Sequence, residues 1–420
     1  MNYQFLFDYI LKWFNFETWY KRSSYIEKIN KSIWNNTIKV LSGIRRVWKS
    51  YILKQIIKDL LDTGVNLNNI FYIHLEDERL LNIDVNTLRE IFEYYKTNFY
   101  KNWTIYVFLD EIQNITYWEK FVRSLQETYS QNIQIFITGS NSNLLSQELS
   151  TVLTWRLIEF NIYPFSFQEF LDIKQIKLDK IDPIKYELFN EYLIYGWLPE
   201  IIRIQDNEIK KNYLKSLVES IIFKDIVQRY NIKKTQFLES LLIYIYNTTC
   251  SNLSINSIVK YLKQEFKTLD YETVNSYIDN ISNTFLLNKL SSLWDKTKHI
   301  LKWKNKFYSI DTGIRNIYSG NYDLEKIIEN FVFIELKRRW YELNCIESLD
   351  FEIDFFAQSW LDKKLYQVSY TIKETKTYER EIKWFFKTKD QYEKTLLTLD
   401  KTNTQDKWIK IINLVDWCLE

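Results

Sequence analysis

The sequence predicts an α/β protein whose N-terminal part is a parallel sheet with helices on both faces. Two observations carry that expectation. From residue 37 to about 163, apolar β-branched runs alternate with helix-period patterns, as in a chain of βαβ units. The first run, Ile38 to Leu41, stops at Ser42-Gly43, and Lys49-Ser50 then open an amphipathic helix. Strand, loop, Lys-Ser and helix is the layout of a phosphate-binding loop, G-x-x-x-x-G-K-[ST].

Taken in order, residues 1–35 read as a helical lead-in. The strand candidates are Ile38–Leu41, Ile70–Leu75, Ile105–Leu109, Ile133–Thr138 and Leu157–Ile162. Each is a short apolar run bounded by polar or turn residues. The helix after the loop buries Ile52, Leu53, Ile56, Ile57, Leu60 and Leu61 on one face, and Gly64 marks its stop. Pro164 marks a boundary. Residues 166 to about 232 read as helices, interrupted at Tyr195-Gly196-Trp197-Leu198-Pro199. From about 234 to 311 three helical patterns precede two short strands. The remainder carries a helix from Leu324 to about Arg339 and strands near Ile353–Phe356 and Lys364–Val368.

At 420 residues the chain is long enough for two to four domains. A net charge of +2 gives no bulk attraction to nucleic acid or anionic membrane, so any such surface has to be local. No uncharged apolar run approaches the ~18 residues of a membrane span. The N-terminus, interrupted by Asp8, Lys12 and Glu17, does not read as a signal peptide. Cys250, Cys345 and Cys418 are scattered and odd in number, which fits a reducing cytoplasm. With only His74 and His299, a histidine-rich metal site is excluded.

The loop departs from its motif in one place. Gly43, Lys49 and Ser50 occupy the first glycine, the lysine and the hydroxyl, while Trp48 stands at the second glycine. Arg45, Arg46 and Val47 are among the variable positions. The second glycine lets the backbone approach phosphates in a conformation costly for a residue with a Cβ. An indole there enters the space the phosphates need. Glycine averages about 7% of residues, or about 29 in a chain of this length, yet there are 6, with 15 tryptophans. Translating UGA as tryptophan where it encodes glycine would produce that exchange. Drift toward AT-rich coding also lowers glycine, but does not put tryptophan inside a phosphate loop.

Thr104 to Glu111 is a buried strand pattern ending in two carboxylates. In nucleotide hydrolases of this layout the first, Asp110, holds Mg²⁺ and the second, Glu111, activates water. An acidic strand end facing solvent is the ordinary alternative. The pairing with a phosphate loop about 60 residues earlier argues against it. The next strand ends in Gly139-Ser140-Asn141, where Ser140 or Asn141 can orient water or cap the following helix. Arg156 is either an arginine finger toward a γ-phosphate or a surface arginine.

GIRRVWKS, YVFLDEIQNITYWEKFVRSL, FITGSNSNLLSQEL and LTWRLIEFNIYPFSFQEFL resemble the prokaryotic AAA-type ATPases that carry a C-terminal domain of unknown function. YGWLPE, DTGIRN and EIDFFAQ…LYQVSY extend the resemblance over nearly the whole chain. Trp48, Trp155 and Trp197 fall where the family pattern has glycine, whereas Trp118 matches a family tryptophan. Trp103, Trp303, Trp340, Trp360 and Trp408 also stand where glycine suits a turn. The resemblance implies a P-loop AAA-type core (36–165), a helical lid (166–232), a winged helix-turn-helix module (233–312) and a restriction-endonuclease-like C-terminal domain (313–420). ATP and Mg²⁺ are the implied cofactors. Pro199, in the Gly-x-Pro element of related lids, is implied to touch the nucleotide if position 197 is glycine.

In the winged-helix reading, the helix starting at Asp270 enters a DNA groove, but it carries Asp270, Glu272 and Asp279. The wing is basic, with Lys296, Lys298, Lys302, Lys304 and Lys306. DNA contact through the wing (296–306) and a structural or protein-docking role, including a homo-oligomer, both stand. In the C-terminal domain Glu335, Asp354 and Gln367 match the metal-binding positions of nucleases, while Ser369 occupies the catalytic lysine position. Lys364, at odd spacing from Ser369, is expected on the opposite face. The resulting expectation is a Mg·ATP-hydrolysing ATPase driving or switching its C-terminal modules. The alternatives are a nucleotide-independent DNA- or protein-binding protein, which a genuine Trp48 enforces, and an ATP-regulated nuclease.

Overall fold

The computed structural model describes residues 3, 20–33, 35–80, 82–142, 157–177, 183–293, 304–347, 352–360, 362–388 and 391–420. Two compact units divide at residues 162 and 163.

The first unit is a five-stranded parallel sheet of β1 (Ile38–Ser42), β2 (Ile70–His74), β3 (Ile105–Asp110), β4 (Ile133–Gly139) and β5 (Leu157–Asn161), in the order β2-β3-β4-β1-β5. Every residue of β1, β3 and β4 is buried, which is why these strands read as continuous apolar runs rather than alternating ones. Helices Lys49–Asp62, Val85–Asn98 and Trp118–Tyr129 connect successive strands and bury one face each, as crossovers between parallel strands must. The register sets Val40 beside Ile137 and Ile73 beside Leu109, and so aligns the C-terminal ends of β1, β3 and β4. Ligands of open parallel sheets bind at this edge, where the strand order reverses. Lys39 is buried within β1, where it donates to Gln134 Oε1 at 2.5 Å and to Asn35 O at 2.8 Å. Burial lowers its pKa to about 8.

The second unit opens with helices Phe167–Ile173, Ile184–Tyr195 and Asn207–Ile221, the last continuing into a π-helical stretch, Ile222–Gln228. Ser166 and Glu169 form a complete capping box at the first of them. Helix Thr235–Asn247 leads to β6 (Leu253–Ser254), helices Ile255–Leu262 and Tyr271–Asn283, and strands β7 (Leu287–Ser291) and β8 (Lys304–Ser309). Ser254 and Asp270 cap the two helices, and the strands form an antiparallel sheet ordered β6-β8-β7.

Helix Leu324–Arg338 then precedes a mixed sheet of β9 (Glu342–Glu347), β10 (Glu352–Gln358), β11 (Lys363–Ser369), β12 (Glu393–Thr398), β13 (Thr404–Asp406) and β14 (Ile409–Asn413). Its order is β13-β14-β12-β11-β10-β9, with β10 antiparallel to both neighbours and β11, β12 and β14 parallel. Helix Thr375–Lys383 crosses from β11 to β12. Of these strands, only β10 and β11 were expected. The cross-sheet apolar cluster of Ile353, Phe356, Leu365, Leu396, Ile409 and Ile411 identifies the others as one folded layer. Among the described residues no helix is long and apolar enough to cross a membrane.

Candidate phosphate-loop site

β1 delivers the chain into the loop at Gly43, whose φ is +151°. A Cβ there would stand 2.4 Å from the Ile162 carbonyl oxygen, so only glycine fits. Arg45 pairs with Glu76 at 2.8 Å, Arg46 is exposed with φ 69°, and Val47 is fully buried. Trp48, the residue before the helix, has φ 66° and ψ 37°. That left-handed conformation suits glycine and is an outlier for a bulky residue. Its indole is half-buried and leans on Tyr51, with ring centroids 4.5 Å apart. It therefore lies along the first helical turn instead of standing clear in solvent. Trp48 supplies no side-chain cap, so the first-turn amides of helix Lys49–Asp62 keep the anion-binding character of an uncapped N-terminus.

Other suspected glycine positions behave alike. Trp103 has φ 84° and is 85% exposed, Trp340 has φ 67°, and Trp360 is 96% exposed. Tryptophan normally buries much of its large apolar surface, so these placements suit the small residue better. Trp197 differs: it is buried, its ring 4.0 Å from that of Phe170 and stacked on Tyr192. Trp155, Trp303 and Arg156 lie outside the described residues.

Opposite the loop, β3 ends in Asp110, which is fully buried. Ser50 Oγ donates to Asp110 Oδ1 at 3.0 Å, Thr138 Oγ1 bonds the same oxygen, and Tyr72 OH donates to Oδ2 at 2.9 Å. His74 Nδ1 lies 3.2 Å from Oδ2 as an electrostatic contact. Burial pushes the Asp110 pKa up, but His74, Thr138 and Ser50 together outweigh it and hold the carboxyl below its ordinary value. His74 responds in the opposite sense. Burial lowers its pKa, and the carboxylates of Asp110, Glu76 and Glu111 together raise it further than burial lowers it.

Glu111 follows in the left-handed conformation, φ 57°, with its N–H donating to Thr138 Oγ1 at 2.9 Å. Its carboxylate is held from two sides. Lys49 Nζ lies 3.5 Å from Oε1, and Gln113 Nε2 donates to Oε2 at 2.5 Å. Lys49 also donates to the loop carbonyls of Gly43, at 3.0 Å, and Ile44, at 3.1 Å. Ser140 is buried beside them, its Oγ accepting from Gln113 Nε2 at 3.2 Å, and Asn141 is buried next to it. One network thus joins Lys49, Ser50, Asp110, Glu111 and Ser140. Its other members, Tyr72, His74, Gln113 and Thr138, escape sequence reasoning. The signal for His74 and Thr138 is positional, since both stand at strand ends flanking β3.

In the second unit Gly196 and Trp197 meet the Asp-Thr-Gly turn. Asp311 Oδ2 accepts from Trp197 N at 2.8 Å, while Oδ1 accepts from Ile314 N at 3.1 Å. A Cβ on Gly196, whose φ is +63°, would overlap Asp311 Oδ1, and one on Gly313 would overlap the Tyr195 carbonyl. Pro199 is buried in this unit.

The nuclease-like residues take different partners. Asp354 and Gln367 are together, the Asp354 N–H donating to Gln367 Oε1 at 3.3 Å. Glu335 instead pairs with Arg338 and, at 3.1 Å, with Arg339. The residues that do join the pair are Glu381, accepting from Gln367 Nε2 at 2.9 Å, and Lys306, 3.2 Å from Asp354 Oδ1. Lys306 is not an exposed wing cation. It is buried, also 3.0 Å from Glu329 and 2.6 Å from Glu352. Burial lowers its pKa, and the carboxylates of Glu329, Asp354 and Glu352 more than reverse that. Lys304 pairs with Glu347 at 3.4 Å, while Lys296, Lys298 and Lys302 lie outside the described residues. Lys364 pairs with Asp362 and Glu393, away from Asp354.

A family signature described as an AAA domain matches residues 35–171, and one described as domain of unknown function DUF8612 matches residues 186–325. The chain is 35% identical over 396 residues to the uncharacterized protein MJ1544 of Methanocaldococcus jannaschii, covering 91% of this chain and 83% of that protein. An uncharacterized protein of Haemophilus influenzae is 32% identical over 406 residues, covering 95% of this chain and 98% of that one. Among solved structures, the Walker-type ATPase PABY2304 of Pyrococcus abyssi superposes with a TM-score of 0.49 at 14% identity, over 71% of this chain and 95% of that one. With relatives of this identity along nearly its full length, the chain belongs to one family with these archaeal and bacterial proteins, an AAA-type family, and joins an AAA domain to DUF8612.

Proposed function

We propose that the chain is an AAA-type ATPase that binds Mg·ATP at Gly43–Ser50 and hydrolyses it to switch its C-terminal modules. The observation that carries this reading is the Ser50–Asp110–Glu111–Lys49 network at the C-terminal edge of the parallel sheet. The donor set fits the expected ligands at the metal end: a buried carboxylate and a hydroxyl 3.0 Å apart are the hard oxygen ligands Mg²⁺ prefers. At the phosphate end it fits with glycine at position 48, whose left-handed backbone is already in place. Bound Mg²⁺ would supply charge neutralisation on the phosphates. Lys49 would leave its loop carbonyls for the β- and γ-oxygens. Glu111 would take the proton of the attacking water as its oxygen adds to the γ-phosphorus and ADP departs. Ser140 and Asn141 would sense the γ-phosphate, and Arg156 would reach it. Fluorescent ATP titration and phosphate release, each with the Trp48→Gly variant, test the reading.

For the C-terminal region we favour a restriction-endonuclease-like domain retained without cleavage. Its support is the sheet order with β10 antiparallel, and the adjacency of Asp354 and Gln367 on β10 and β11. Ser369 stands where a lysine is needed, and Lys306 neutralises Asp354. The antiparallel β6-β8-β7 sheet with helices Ile255–Leu262 and Tyr271–Asn283 supports the winged-helix reading. With Lys306 buried and the Asp270 helix acidic, protein docking fits this module better than duplex DNA.

A further inference from the structure

Gln113, two residues beyond the proposed general base, is given no role by the motif reading. Its amide nitrogen spans two groups with proposed roles, donating to Glu111 Oε2 at 2.5 Å and to Ser140 Oγ at 3.2 Å. Only the nitrogen end of the amide can face a carboxylate, so the orientation of this side chain is fixed by Glu111 itself. The other end, Oε1, is buried and has no hydrogen-bond partner among the described residues. A buried acceptor without a donor costs free energy. The Glu111 carboxylate therefore has little freedom. Lys49 faces one oxygen, Gln113 holds the other, and its backbone is fixed by Thr138 in a left-handed conformation.

We propose that Gln113 is a positioning residue for ATP hydrolysis, tying the Glu111 carboxylate to Ser140 so that the base faces the attacking water. The proposal rests on the ATPase reading and adds a residue to it. When Lys49 leaves Glu111 for the phosphates, Gln113 is, among the described residues, the side chain that still holds the base. A change at Ser140 on nucleotide binding is then passed to Glu111 through a single amide. Positioning of this kind matters because a displacement of about 1 Å can cost about a hundredfold in rate.

The test uses the full chain carrying Trp48→Gly, with fluorescent ATP binding and steady-state turnover measured side by side. Gln113→Met keeps the size and removes the amide. It is expected to leave Mg·ATP affinity within about twofold and to lower kcat by about tenfold or more. Ser140→Ala is expected to give the same split, and the double variant to be no slower than the slower single, as for two members of one link. Gln113→Glu, which sets a second carboxylate against Glu111, is expected to lower kcat further with binding retained. Unchanged turnover in Gln113→Met, or loss of nucleotide affinity in both Gln113 variants, overturns the proposal. The second result makes Gln113 a structural residue of the loop. A Trp48→Gly chain that binds ATP without turning it over removes the ATPase reading, and the positioning role falls with it.

Discussion

The Lys49 ammonium stands 3.5 Å from the Glu111 carboxylate while donating to the carbonyls of Gly43 and Ile44. The lysine that would serve phosphate is thus held by the loop and by the base together. In the proposed reading, binding would exchange those partners for phosphate oxygens and so separate Lys49 from the Glu111 carboxylate. In the Trp48→Gly chain, Glu111→Gln is expected to keep Mg·ATP binding and slow phosphate release at least about a hundredfold, the scale of a lost general base. Asp110→Ala is expected to weaken binding only when Mg²⁺ is present. Equal turnover in Glu111→Gln and its parent removes the assignment.

The carboxylates around Lys306 make a second, opposite prediction. With its ammonium among Glu329, Glu352 and Asp354, the Asp354 site carries its own counter-charge. Neither duplex nor single-stranded DNA should be cleaved above background with Mg²⁺ or Mn²⁺. Cleavage that disappears in Asp354→Ala contradicts this. Lys306→Met leaves buried carboxylates unpaired and is expected to destabilise the second unit by about 3–5 kcal/mol, read as a lower melting temperature.

How far the sequence reaches is visible in these two sites. Strands β1, β3 and β4 were legible because burial on both faces leaves near-continuous apolar runs, and the loop because its spacing is local. Ser50, Asp110 and Glu111 follow from those strand ends. Lys306 is misread from its spacing for a physical reason. Lys306 looks like part of a lysine-rich wing, and its partners lie 23 to 48 residues away. Glu335 sits at the expected helical position, but Arg338 and Arg339, one turn on, capture it. Spacing reports which face a side chain takes, not which charge arrives there from another element. Gln113 was missed because nothing in its neighbours tells an amide that bridges from one that is solvated.

The Asp311 carboxyl provides a pH test of the second unit. Burial pushes its pKa from 3.8 to about 6, partly offset by the N–H groups of Trp197 and Ile314 that it accepts from. A carboxyl whose folded pKa is raised binds its proton more tightly when folded. Its contribution to stability is therefore fully present below about pH 4 and lost as pH rises through about 6, with a magnitude of about 3 kcal/mol. Comparing melting temperatures of the parent and Asp311→Asn from pH 4.5 to 7.5 isolates it. The parent's relative stability should fall with rising pH and level off above about pH 7. A difference that does not vary with pH contradicts the assignment.

Position 48 is expected to decide whether the proposed site binds nucleotide. Its backbone is left-handed, which costs a residue with a Cβ on the order of 1–2 kcal/mol, and its indole lies along Tyr51 at the mouth of the helix. Two effects are superimposed there, strain from the Cβ and occupation of space by the ring. Three chains separate them. The protein with Trp48 is expected not to bind ATP at micromolar concentration, since losing even a few charge-assisted hydrogen bonds of about 1.5–3 kcal/mol each moves a micromolar site to millimolar or beyond. Trp48→Gly is expected to bind in the micromolar range and to melt at a higher temperature. Trp48→Ala, which removes the ring and keeps the Cβ, should recover part of the affinity but none of the gain from relieved strain. If the protein with Trp48 binds as tightly as Trp48→Gly, the ring does not obstruct the loop. Reading the codons at 48, 103 and 340, the left-handed tryptophans, then tests the cause. UGA at all three makes them glycines by a reassigned code, whereas UGG makes the chain a family member whose phosphate loop has been closed by substitution.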